Sequence, residues 1–162
     1  MIKLDSKIYL AGHKGLVGSA ILRKLKKKGY KNIICQDREK LDLTNQTKVY
    51  KFLKKNKPEI IFIAAAKVGG ILDNNLYKAD YITENLLIQT NLIQGAHLHG
   101  IKNLIFLGSS CVYPKNCKQP IKEKYLLTGS LEDTNDAYAV AKIAGIKMCQ
   151  SFNEQYDSNY RC

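Results

Sequence analysis

The sequence predicts an α/β fold, a doubly wound parallel sheet with helices on both faces. Three observations predict it. Short apolar runs alternate with longer segments of helical period in the order β-α-β-α-β-α-β-α. One run, residues 59–66, is almost unbrokenly apolar, as expected of a strand covered on both faces. The first run passes directly into glycines at three-residue spacing, Gly12, Gly15 and Gly18, and from there into a helical pattern.

That first unit begins at Ile8 with Ile-Tyr-Leu-Ala and continues through residue 19. In its helix Leu16, Val17, Ala20, Ile21 and Leu25 form the apolar side, and Arg23, Lys24 and the lysines at 26–28 the polar one. Gly29 ends the helix, and residues 32–36 read as a second strand. Thr44 is the expected cap of a second helix that uses Val49, Tyr50, Phe52 and Leu53 as its apolar face and closes at Pro58. After the third strand, residues 75–99 read as one long helix with Leu86, Leu87, Ile88, Leu92 and Ile93 inside. Residues 103–107 make a fourth strand, and residues 134–156 another long helix capped by Thr134 or Asn135. Residues 158–161 read as the approach to a fifth strand that Cys162 ends before it can be built.

With 162 residues there is room for one domain with a real core, so residues 1–162 are expected to be a single unit, incomplete at its carboxyl end. No apolar run approaches the roughly 18 residues of a membrane span, so no membrane partner is expected. The amino terminus lacks the apolar core of a secretory signal, which makes cytoplasm the expected compartment. Five cysteines (35, 111, 117, 149, 162) without a C-x-x-C pair argue against a disulfide framework and against a metal site. The net charge of +12 raises the question of nucleic acid. The lysines are scattered rather than gathered into a stripe, and no binding motif accompanies them, so a solvated basic surface is the expected reading.

Strand, glycine turn and helix together form a seat for the pyrophosphate of a dinucleotide. Glycines let the backbone approach the phosphates, and the first-turn amides and helix dipole stabilise their charge. In open α/β sheets ligands bind beyond the carboxyl ends of the strands, and three candidate groups fall there. Tyr138 and Lys142 are four residues apart and share a helix face, where a cation near the phenol is expected to favour phenolate. Ser109 follows the fourth strand and could donate to a carbonyl oxygen under reduction, while Cys111 beside it reads from sequence alone as a packed thiol. Asp37, Arg38 and Glu39 follow the second strand, where coenzyme choice is made. A carboxylate accepts from the ribose hydroxyls of NAD, and a cation pairs with the 2′-phosphate of NADP. Arg38, helped by Lys14, favours NADP; Asp37 dissents. His13 sits in the glycine loop and is expected to satisfy a backbone group.

Gly-x-x-Gly-x-x-Gly, Ser109 and Tyr138-x-x-x-Lys142 resemble the extended short-chain dehydrogenase/reductase family. Within it, residues 11–19, Ala-Ala-Ala-Lys-Val-Gly-Gly at 64–70, residues 107–114 and residues 138–145 resemble the GDP-L-fucose synthase family of epimerase/reductases. The resemblance implies a Rossmann-like NADP-binding domain and NADPH as coenzyme. It implies a GDP-sugar as the small-molecule substrate, and a homodimer in the full-length form. By the same resemblance Ser109, Tyr138 and Lys142 are the reductase triad and Cys111 the acid/base of epimerisation, which replaces its reading as a packed thiol. The coenzyme contacts it implies are Gly12, His13, Lys14, Gly15, Leu16, Val17 and Gly18 in the loop, Arg38, Asp42 and Leu43 after the second strand, Ala64, Ala65 and Ala66 after the third, and Tyr138 and Lys142. The family's catalytic histidine and most of its GDP-sugar contacts lie beyond the position of Cys162, so the chain is expected to be an amino-terminal fragment with little activity alone. The alternatives are another nucleotide-sugar epimerase or dehydratase, or a non-catalytic NADP-binding fragment.

Overall fold

The computed structural model of the protein describes residues 2–162. Five parallel strands, β1 (Ile8–Ala11), β2 (Ile33–Ile34), β3 (Ile60–Ile63), β4 (Asn103–Phe106) and β5 (Asn159–Arg161), form one sheet in the order β2-β1-β3-β4-β5. The helices between them are α1 (Leu16–Lys27), α2 (Gln46–Asn56), α3 (Ile71–Leu76), α4 (Lys78–Leu98) and α5 (Asp136–Tyr156). The chain runs from β1 outward to β2, then crosses back to β3 on the other side. The order therefore reverses between β1 and β3, and the two strand ends diverge into a crevice there.

Side-chain alternation divides the sheet. Tyr9, Ala11, Ile61, Ile63, Leu104, Phe106 and Tyr160 join Val49 and Leu53 of α2, Leu92, Ile93 and Ala96 of α4, and Cys149 of α5 in one buried cluster. Ile8 and Leu10 point to the other face, which α1 covers, and are fully buried. Burying both faces of β1 is why it reads as continuous apolar sequence.

Several boundaries differ from those the sequence suggests. The second strand pairs over two residues only, with Ile8 opposite Ile33 and Tyr9 opposite Ile34. Asn45, not Thr44, caps α2, accepting from the Lys48 N–H at 3.0 Å; Thr44 instead donates its hydroxyl and its N–H to Asp42 Oδ1. At α5 the cap position is Asn135, yet its side chain makes no capping bond. The helix expected over 75–99 is two helices broken at Tyr77, whose backbone leaves the helical region at φ −114° and ψ 39°. The break is held by side chains: Asn74 donates to the Gly69 and Gly70 carbonyls, and the Tyr81 hydroxyl donates to Asp73. Leu87, expected inside, is 42% exposed, whereas Leu92 and Ile93 are fully buried.

The fifth strand is built, contrary to the expectation that it could not be. Leu104 lies opposite Tyr160 in parallel register. The Asn153 side chain supplies what a further strand would: its amide donates to the Tyr160 carbonyl at 2.7 Å, and its oxygen accepts from the Tyr160 N–H at 2.8 Å. The Tyr160 ring is buried and its hydroxyl donates to the Ile101 carbonyl. Three residues suffice because Asn153 satisfies both backbone polar groups of the middle one, while Asn159 bonds the Lys102 carbonyl on the other edge.

Candidate active site

The crevice between β1 and β3 is a cleft of about 360 Å³. Its floor is the glycine loop. Gly12 has φ +85°, a region closed to most side chains, and a Cβ there would lie 2.5 Å from the Ala65 nitrogen. A Cβ on Gly18 would lie 2.0 Å from the Gly12 carbonyl oxygen, so Gly18 lets α1 press against the loop from behind. Gly15 is different: its Cβ would meet only the Gly12 oxygen, at 3.4 Å, and its φ is an ordinary −71°. It occupies the cap of α1 without any side-chain cap, and the first turn carries no acidic residue. The amides of Leu16, Val17 and Gly18 thus have no capping partner, and Leu16 and Val17 line the cleft.

Gly12, His13, Lys14, Gly15, Leu16 and Val17 line the cleft, as do Arg38, Asp42 and Leu43 from the β2 side and Ala64, Ala65 and Ala66 from β3. Gly18 does not; it is buried behind the loop. Leu16 and Val17, read from sequence as the core side of α1, are 89% and 53% exposed and form the apolar lip of the cleft instead. The physical reason is their place in the first turn, which projects beyond the end of the sheet.

Charge gathers at the β2 side. Lys14 Nζ lies 2.9 Å from Asp37 Oδ1, and His13 Nε2 lies 3.4 Å from the same oxygen. His13 therefore faces a carboxylate rather than the backbone group expected. The Lys14 ammonium holds the Asp37 carboxyl below the ordinary carboxylate range. Arg38 reaches Glu84 Oε2 of α4 at 3.2 Å, and Lys67 reaches Glu84 Oε1 at 2.8 Å. Lys67 foremost, then Arg38, holds the Glu84 carboxyl below its usual value. Asp42 accepts from Thr44 twice and is depressed by those bonds.

Lys67 and Glu84 line the cleft but carry no expectation from sequence. Glu84 sits on a helix whose period marks only core positions, so no local signal points to it. Lys67 belongs to the Ala-Ala-Ala-Lys-Val-Gly-Gly segment, and its position just past a strand end was the available signal. Its peptide is fixed by Asn85, whose buried side chain accepts from the Lys67 N–H at 2.9 Å and donates to the Lys67 carbonyl at 3.0 Å.

The second group lies one strand over. Ile63 is paired with Phe106 and its carbonyl accepts from the Leu107 N–H at 3.2 Å, so the two strands end side by side. Cys111 Sγ donates to Ser109 Oγ at 3.1 Å in the one-turn helix Ser110–Val112. Lys142 is buried at 3% exposure, and its ammonium donates to the Leu107 carbonyl at 2.8 Å. Nζ also lies 4.6 Å from the Phe106 ring centroid and 5.8 Å from that of Tyr138. Burial pushes the Lys142 ammonium down to about 8. The helix spacing does bring Tyr138 and Lys142 together, but the phenol is not lowered as expected. Burial, then the Cys111 thiol, holds it above its ordinary value against a hydrogen bond from Ser109. The cation stands over the ring face and is tied to the Leu107 carbonyl. Tyr138 is therefore a protonated acid at neutral pH, with Ser109 and Cys111 as its polar neighbours. Close packing sets this arrangement: a Cβ on Gly145 would lie 2.5 Å from Phe106, the ring beneath Lys142.

The cleft fits a dinucleotide by its own features. Amides without capping partners at a helix start suit a diphosphate, the Gly12 backbone leaves room for it, and apolar Leu16 and Val17 border the seat. Among the described residues no group of three or more His, Cys, Asp or Glu could hold a metal ion, and no helix is long and apolar enough to cross a membrane.

Comparison with known proteins places this geometry. GDP-L-fucose synthase of Sinorhizobium fredii is 55% identical over 99% of the chain and 51% of its own length. The Escherichia coli enzyme of the same name is 48% identical over 96% of the chain and 48% of its own length. The chain thus spans about half the length of the curated relatives it matches. A GDP-D-glycero-L-gluco-heptose synthase from Campylobacter jejuni, solved in the presence of NADPH, superposes with a TM-score of 0.96 at 44% identity, covering 99% of this chain and 47% of that one. Its likeness extends over the whole five-stranded sheet, so the Rossmann-like fold is shown as well as expected. Residues 8–162, from the first residue of β1 onward, match the profile of one family throughout, and the chain belongs to that NAD dependent epimerase/dehydratase family.

Proposed function

We propose that this chain is the coenzyme-binding part of an NADP-dependent epimerase/reductase that converts GDP-4-keto-6-deoxy-D-mannose to GDP-L-fucose. The observation that carries the reading is the convergence of two sites at one edge of the sheet. Ser109, Cys111, Tyr138 and Lys142 gather at the end of β4, directly beside the glycine-floored cleft between β1 and β3. The relatives named GDP-L-fucose synthase and the NADPH-containing neighbour support the substrate and the coenzyme.

The diphosphate would be held by the Leu16, Val17 and Gly18 amides, with Lys14 and Arg38 at the adenosine end. When bound, NADPH supplies the reducing equivalent. Tyr138, kept protonated by burial, gives its proton to the sugar's 4-oxygen, and Ser109 donates a hydrogen bond to that oxygen as charge builds on it. Lys142, anchored on Leu107, holds the nicotinamide ribose and keeps a positive field under Tyr138. Cys111 exchanges the proton at the epimerised carbon, and the second acid for that step lies outside these residues by the family resemblance. A homodimer and a cytoplasmic setting belong to the same reading.

The sugar is the variable part, since the Campylobacter jejuni neighbour is named for a heptose. The test is NADPH oxidation by the whole protein carrying this chain, offered GDP-, UDP- and dTDP-4-keto sugars. Turnover confined to GDP-4-keto-6-deoxy-D-mannose supports the proposal; preference for another sugar replaces it. Tyr138→Phe should lower kcat by at least about a hundredfold, the scale of general acid catalysis. Unchanged turnover would remove Tyr138 from the mechanism.

A further inference from the structure

We propose that Asp37 sets coenzyme choice in this chain and admits NADH alongside NADPH. The inference rests on the dinucleotide reading above and concerns its adenosine end. Where the second strand of such a sheet finishes, a carboxylate accepts from ribose hydroxyls and a cation pairs with a 2′-phosphate. This chain carries both, as neighbours, and the structure shows how they are arranged.

Asp37 lines the cleft, with its side chain 31% exposed. Lys14 and His13 both approach its Oδ1. Among the described residues no hydrogen bond falls on Oδ2, which is left for a ribose hydroxyl. The cations that a 2′-phosphate needs are already matched. Lys14 is held by Asp37 at 2.9 Å, and Arg38 is drawn to Glu84 at 3.2 Å, which also holds Lys67. A 2′-phosphate entering here must share Lys14 with a carboxylate that repels it, and must draw Arg38 from its partner. A ribose hydroxyl meets an acceptor in place. The two coenzymes are thereby brought toward equal affinity: the cations favour one and Asp37 the other.

The experiment is fluorescence titration of the chain with NADPH and with NADH, for wild type, Asp37→Asn, Asp37→Thr and Arg38→Ala, with melting curves for each. In wild type the two dissociation constants should lie within about tenfold of one another, less than one charge-assisted contact's worth of discrimination. Either Asp37 variant should weaken NADH and tighten NADPH, widening their ratio by about tenfold. Arg38→Ala should weaken NADPH by about tenfold more than NADH. A wild type that prefers NADPH by about a thousandfold or more, or Asp37 variants that move both coenzymes equally, would overturn the proposal while leaving the dinucleotide reading intact. Binding of neither coenzyme would remove both.

Discussion

The backbone at Gly12 passes so near Ala65 that a methyl group on Gly12 would sit 2.5 Å from the Ala65 nitrogen. That approach joins the ends of β1 and β3 and shapes the floor of the cleft. Gly12→Ala must either push the β3 end outward or leave its own strained φ of +85°. We expect a loss of about 2–4 kcal/mol in urea unfolding, the range for strain combined with overpacking, together with loss of NADPH binding. Gly15→Ala, whose added methyl meets one oxygen at 3.4 Å, should cost about 1 kcal/mol or less. Equal costs at the two positions would contradict the close-approach argument.

Lys142 predicts a pH dependence of stability. Its folded-state pKa of about 8 lies below the ordinary 10.5, so between those values the unfolded chain holds a proton that the folded chain has released. Stability contributed by this group therefore rises with pH across that window, by about 3 kcal/mol if the shift is fully expressed. Lys142→Met has no such proton to lose. The stability of the Met variant relative to wild type should fall as pH is raised from 7 to about 10, measured as urea midpoints at each pH. A difference that stays constant across the window would show that the ammonium is not desolvated as described.

Asn85 predicts a coupling between α4 and the cleft. Its side chain pairs with both backbone polar groups of Lys67, as a neighbouring strand would, and also donates to the Tyr81 carbonyl at 2.8 Å. Asn85→Ala leaves those groups without partners and should cost about 2–3 kcal/mol by calorimetric or urea unfolding. It should also weaken NADPH binding several-fold, because the loop after β3 loses its anchor. Asn85→Asp should be worse than Ala, since a second acceptor then faces the Lys67 carbonyl. Undiminished binding in both variants would mean that this loop does not form a wall of the coenzyme site.

Much of this was legible in the chain. The alternation of strands and helices, the glycine loop and the Tyr138–Lys142 face follow from apolar period and residue spacing, which are local. What was not legible depends on partners distant in sequence. Asn153 completes β5 by imitating a strand edge, and nothing in Asn-Glu-Gln-Tyr announces that role. The break at Tyr77 is held by Asn74 bonding the Gly69 and Gly70 carbonyls and by Tyr81 bonding Asp73, although the surrounding pattern remains helical. Glu84 enters the cleft only because the fold brings α4 beside Arg38 and Lys67, which follow β2 and β3. The i, i+4 rule placed Lys142 beside Tyr138 correctly. It did not foresee the Leu107 carbonyl, which accepts from the ammonium, or the burial that holds the phenol above its usual value.

The central claim is that a coenzyme diphosphate docks on the first-turn amides of α1, at the point where the sheet order reverses. Backbone amide chemical shifts followed during NADPH titration test it most directly. Leu16, Val17 and Gly18 should shift together and saturate with one dissociation constant, while the Tyr160 amide, held by Asn153 at the far strand, stays in place. Saturable shifts elsewhere with these three amides unmoved would contradict the account.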